Sequence, residues 1–91
     1  MNETMEQSRV RAVERGFLAR QLLEHPLWQE IVVSLRSAWT EQMLMTAPDQ
    51  RDEREDFYRM ITALGAVEAS VSSIELAGQQ AAEDREPFEA A

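Results

Sequence analysis

Phe57, Met60, Leu64, Val67, Val71, Ile74, Gly78 and Ala81 follow one another in unbroken steps of three and four, the spacing that keeps residues on one seam of a long packed helix. In a chain that is 44% hydrophobic, apolar residues at all seven non-glycine places have a chance of about 0.3% in one register, so the run reports a real seam. Whatever else the chain forms must pack along that helix. The fold class predicted is all-α: a helical hairpin of two long antiparallel helices, with an N-terminal helix packed on it.

The rest of the chain supplies the other helices. From about residue 3 to 24, Val10, Val13, Phe17, Leu18, Leu22 and Leu23 recur at mostly helical spacing. His25-Pro26 then reads as a break and restart, because proline lacks the N–H a helix interior needs yet suits a first turn. A second helix is predicted over 26–45, with Trp28, Ile31, Val32, Leu35, Trp39 and Met43 on its apolar face and Leu27, Ala38 and Leu44 beside it. Thr46-Ala47-Pro48-Asp49 combines a threonine-x-x-acid capping pattern with a first-turn proline and predicts a short connector into a third helix over 49–82. Residues 1–82 thus form one helical domain, and 83–91 an acidic, proline-broken tail.

The third helix outruns the second by about 20 Å at 1.5 Å per residue. Between Gly65 and Ser73 its only charge is Glu68, so this stretch is expected to be covered on more than one side. The first helix can cover one side and a second copy of the chain another. An oligomer is therefore predicted, with Leu64, Val67, Val71, Ile74 and Gly78 at its interface. A chain of 91 residues lies near the size at which one core begins to lean on association.

Composition narrows the chemistry. There is no cysteine, which excludes disulfides and thiolate metal sites, and no lysine, which excludes Schiff-base chemistry. All nine cationic side chains are arginines, against 17 acids, for a net charge of −8. Residues 1–20 carry +1, because Arg9, Arg11, Arg15 and Arg20 outnumber Glu3, Glu6 and Glu14; the other 71 carry −9. Direct binding to nucleic acid is not expected, since that needs clustered cations. No apolar stretch approaches the roughly 20 residues of a bilayer span, and no secretory leader opens the chain, so a soluble intracellular protein without a membrane partner is expected.

Four groups of residues invite a functional reading. His25, the only histidine, reads as a helix boundary, because no orienting carboxylate faces it. Arg51-Asp52-Glu53-Arg54-Glu55-Asp56 with Arg59 reads as a salt-bridged helix start, the interleaved arginines opposing a divalent-metal site. Trp28, Trp39, Phe57 and Tyr58 read as core in the absence of basic neighbours. Met43, Leu44 and Met45 cannot all face one core, so the hairpin tip is the candidate partner-binding site. No phosphate loop, nucleophile triad or metal spacing occurs, and neither an enzyme nor a cofactor is expected.

With these residues laid out, the order Leu22-Leu23-Glu24-His25-Pro26-Leu27-Trp28, then Trp39 and Thr46, then Asp49 to Glu55 with Tyr58, and finally Gly78-Gln79-Gln80-Ala81 resembles a group of small proteins encoded by tailed bacteriophages and prophages. The resemblance covers residues 18–82 or so. It implies a phage origin, a gene among the head and packaging functions, and a place in the host cytoplasm or the virion; it brings no catalytic residue. His25 stands where the group has asparagine and Gln79 where it commonly has a basic residue. Two functions follow as expectations. One is an oligomerising structural or assembly component whose partners are itself and larger phage structural proteins. The other is a small acidic inhibitor of a host enzyme or defence protein.

Overall fold

The computed structural model describes residues 3–84, all of whose regular structure is helical. The elements are α1 (Met5–Glu24), α2 (Pro26–Leu44) and α3 (Arg51–Glu83). The expected all-α class is present, and the 26–45 helix agrees to within one residue. α3 begins two residues later than the sequence predicts. Thr46 does not cap it: its hydroxyl turns back to donate to the Met43 carbonyl at 2.8 Å and accepts from Arg54 at 3.0 Å. Gln50 closes the turn instead, its side chain accepting from the Ala47 N–H at 2.7 Å and its carbonyl accepting the first helical bond from Arg54.

The start of α1 is fixed by a reciprocal capping box. The Thr4 hydroxyl accepts from the Gln7 N–H at 3.1 Å, and the Gln7 side chain accepts from the Thr4 N–H at 2.9 Å. Two of the donors that a helix start leaves orphaned are satisfied this way. α2 starts at His25, whose backbone is extended and whose Nδ1 accepts from the Leu27 N–H at 3.1 Å, with Pro26 in the first turn.

The chain gathers into two compact units. One joins α1 to the part of α3 from Ser70 onward; the other, His25–Ala69, joins α2 to the first half of α3. In each unit one helix covers one half of α3.

In the first unit the contact is backbone on backbone. A Cβ placed on Gly16 would stand 2.8 Å from the Gly78 Cα and 3.2 Å from the Ile74 carbonyl oxygen; one placed on Gly78 would meet the Gly16 Cα at 2.8 Å and the Ala12 oxygen at 2.9 Å. Gly16 and Gly78 are both buried, and Ala19 beside them is 7% exposed. The buried line of α1 thus runs through Ala12, Gly16 and Ala19, while Val10, Phe17, Leu18 and Leu22 stay exposed. Of the large residues expected on the inner face, Val13 and Leu23 are partly buried, as Ala12 is, and the other four are exposed; the small residues lead because close backbone approach leaves little room between the helices.

In the second unit Val32, 5% exposed, is the best-buried side chain, flanked by partly buried Trp28, Leu35, Trp39 and Met43. Facing them on α3 are partly buried Phe57, Ile61, Leu64 and Glu68. Ile31, expected on the inner face, is 45% exposed, since it stands 100° around the helix from Val32 and a two-helix seam is narrow. Met60 and Val67 of the α3 run are likewise exposed, with Ile61 and Glu68 in their place.

The glycine contacts set the direction of two substitutions. Gly16→Ala gains up to about 1 kcal/mol of helix propensity but collides with backbone that cannot swing aside, at a cost of about 1–3 kcal/mol, so a net loss is expected. Gly65 has nothing within 4 Å of an added Cβ. Gly65→Ala should therefore raise stability by about 0.5–1 kcal/mol. Thermal melts of the two variants check the contrast, and equal behaviour would contradict the close crossing.

Candidate interaction surfaces

At the end of α2, Met43 is partly buried while Leu44 and Met45 are each 77% exposed. The chain leaves the helix there because Met45 takes the C-cap position, its N–H shared between the Glu41 and Gln42 carbonyls. Below this tip, Arg54 donates to the Thr46 hydroxyl and, at 3.2 Å, to the Ala47 carbonyl. One guanidinium thus holds the connector while the two apolar side chains point to solvent.

The predicted interface residues are divided by the fold. Gly78 faces Gly16 of its own chain, and Leu64, Val71 and Ile74 are partly buried; Val67 alone of the five is exposed, at 51%. Beside the glycine crossing, an open groove of about 260 Å³ is lined by Arg15, Leu18, Ala19, Leu22, Val71 and Ile74. A smaller one of about 190 Å³ opens toward Phe17, Arg20 and Glu75.

The charged run at the start of α3 is paired within itself. Arg51 reaches Glu55 at 3.4 Å, and Arg59 reaches Glu55 at 3.6 Å and Asp56 at 3.1 Å. Among the described residues no three His, Asp or Glu side chains gather as metal ligands would. Arg36 of α2 pairs with Glu68 of α3, joining the two helices of the second unit. On α1, the Arg20 guanidinium donates to Glu24 at 3.0 Å; that bond, with the charges of Glu24 and Glu75, holds its pKa above the ordinary arginine range. It stays cationic throughout. Among the aromatic residues Trp28, Trp39 and Phe57 are partly buried and Tyr58 is 63% exposed.

One helix among the described residues, α3, is long and apolar enough to cross a membrane by length and composition, with a mean hydropathy of 1.3 over 18 residues. The sequence reading, which looked for a run without charges, did not find it. Glu68 and Glu75 interrupt the run without lowering its average below that level. The pairing of Glu68 with Arg36 places this stretch against a second helix of the same chain.

What the sequence reading missed is the small-residue line of α1, the Thr4–Gln7 box and the outward position of Ile31. The first two were legible as a glycine at the middle of a helix and as a threonine-x-x-glutamine start. The acidic tail predicted over 83–91 lies, from residue 85 on, outside the described residues.

His25 acts here through one hydrogen bond, which gives its substitution a sign. Asparagine accepts the same bond and is a preferred N-cap, so His25→Asn should melt at the same temperature or slightly higher, whereas His25→Ala should lose about 1 kcal/mol. A loss in both variants would mean that the imidazole does more than cap. Comparison of the chain with protein-family models, with curated proteins and with solved structures finds no match.

Proposed function

We propose that this chain is a non-enzymatic bacteriophage protein that oligomerises and serves as a helical structural or assembly component of the virion or packaging apparatus. The observation that carries the reading is the thinness of its packing. Each unit pairs two helical segments, and among the described residues Ala19 and Val32 are the buried apolar side chains. Phe17, Leu18, Leu27, Ile31, Val33, Leu44, Met45 and Tyr58 remain 45–77% exposed. Apolar surface on this scale is what a chain presents when other proteins complete its core.

Within the reading, α2 and the first half of α3 form an antiparallel hairpin. Its supports are two bonds at different distances from the connector: Arg54 to Thr46 near it, and Arg36 to Glu68 far from it. The exposed tip, Leu44 and Met45, is the surface for a larger phage protein. The chain works in the host cytoplasm or in the particle.

The alternative is a small acidic inhibitor of a host enzyme, acting by imitating nucleic acid. Its acids would have to present an unbroken anionic stripe, whereas Glu55 and Asp56 are neutralised by Arg51 and Arg59. The assembly reading needs no such stripe.

Two measurements test it. Sedimentation at tens of micromolar should show a species larger than ~10 kDa, the mass of one chain; a sharp monomer contradicts oligomerisation. Leu44→Glu with Met45→Glu should keep helicity and oligomeric state yet lose capture of the partner recovered, by mass spectrometry, from purified particles or infected lysate. Recovery of a host enzyme instead of a virion protein would favour the inhibitor.

A further inference from the structure

On α2, Leu27, Ile31, Ser34 and Ala38 follow in steps of four, three and four, and all four are exposed. They lie about a third of a turn from the line through Val32 that packs on α3. On α3, Met60 and Val67, 39% and 51% exposed, lie about a sixth of a turn from the line through Phe57 and Leu64, in the same rotational sense. When two helices run antiparallel, equal senses of rotation carry both strips to one side of the pair. The opposite side holds the Arg36–Glu68 pair. The second unit therefore has one face that holds the Arg36–Glu68 pair and a second face that is uncharged along the α2 strip and, on α3, runs from exposed Glu53 and Asp56 near the connector to Met60 and Val67.

We propose that a second copy of the chain docks on this second face. The two α2 helices lie antiparallel across a two-fold axis between Ile31 and Ser34, and the two helix pairs close into a four-helix bundle. The proposal rests on the antiparallel hairpin and the oligomeric reading given above.

Three properties of the strip select a second copy as the occupant. Its residues are large at the start of the helix and small toward the end. Reversal therefore sets Leu27 over the partner's Ala38 and Ile31 over the partner's Ser34 in one register, large against small at every step. A two-fold interface must be self-complementary in this way. The α2 strip itself carries no charge, so two chains of −8 each can set α2 against α2 without opposing carboxylates along it, while the acids of the face, Glu53 and Asp56 of α3, lie toward the connector and away from the two-fold axis. Finally, α2 is about 28 Å long and the pair about 20 Å wide, a face on the order of 600 Å², which approaches the roughly 800 Å² per partner of a stable dimer.

The test uses the absence of cysteine from the chain. Ile31→Cys chains are mixed with Ser34→Cys chains under mild oxidation, and Val33→Cys chains, altered on another face of α2, serve as the control. The expected result is that the Ile31→Cys and Ser34→Cys chains join to each other as the dominant product, while the Val33→Cys control stays largely uncrosslinked. In parallel, Ile31→Glu should weaken self-association by ~100-fold or more, since a carboxylate would be buried in the interface, and Val33→Glu should not. Self-association of the unaltered chain should tighten as salt rises from 0.05 to 0.5 M, because salt screens the repulsion between two acidic chains.

If sedimentation shows an oligomer but the Ile31→Cys and Ser34→Cys chains do not join preferentially, the docking face is wrong and oligomerisation stands. A monomer overturns both. Weakening by salt, or transfer of the chain into phosphatidylcholine vesicles in place of self-association, would show that charge pairs or a lipid surface take the place assigned to the second copy.

Discussion

Burial on one side only is the constraint from which the rest of the structure follows. α3 is covered by α1 over its second half and by α2 over its first, and in each unit two helical segments share one seam. A seam between two helices can remove only a narrow line of side chains from water, which is why, among the described residues, Ala19 and Val32 are the buried apolar side chains and many large ones stay exposed. A third layer is what such a surface lacks, and a small chain commonly obtains it from another molecule.

The two seams solve the same problem differently. At the α1 crossing, glycine meets glycine, and stabilisation comes from close backbone approach and the many weak contacts it permits. At the α2 seam, Trp28 and Trp39 of α2 and Phe57, Ile61 and Leu64 of α3 are large side chains that are each partly buried, and the Arg36–Glu68 pair joins the two helices. Ion pairs this exposed add about 0–1 kcal/mol each. Their effect is on register, because a misaligned pairing would leave Glu68 against an apolar neighbour. The same holds for Arg54, whose two bonds to the connector fix where the chain turns.

Much of this organisation was legible in the sequence and some of it was not, for physical reasons. The long α3 run showed because it repeats a strict spacing, and Phe57, Leu64, Val71 and Gly78 lie on the covered side. Met60 and Val67 share the spacing but not the burial. Two lines of a helix satisfy the same alternation of three and four, and the choice between them depends on which side the partner helix takes. Glu68 was an unlikely inner residue until Arg36 was in place beside it. The inner face of α1 was hidden because hydrophobic patterning weights large side chains, whereas a close crossing selects small ones. His25 was read as a boundary and stands as the N-cap of α2, and the connector was placed correctly although Thr46 does not cap α3 and the Gln50 side chain closes the turn onto Ala47. The surface residues of the tip were legible from their crowding: three apolar residues in sequence cannot share one seam, and Leu44 and Met45 are the two that do not.

The central claim is that the seams within one chain are insufficient and that association completes them. A chain stabilised by association melts at a temperature that rises with its own concentration, because binding favours the folded state by mass action. Thermal unfolding followed by helical circular dichroism over a ~100-fold range of concentration measures this directly. The account predicts a melting temperature that climbs by several degrees across the range; a melting temperature independent of concentration would show that one chain folds by itself and would contradict it.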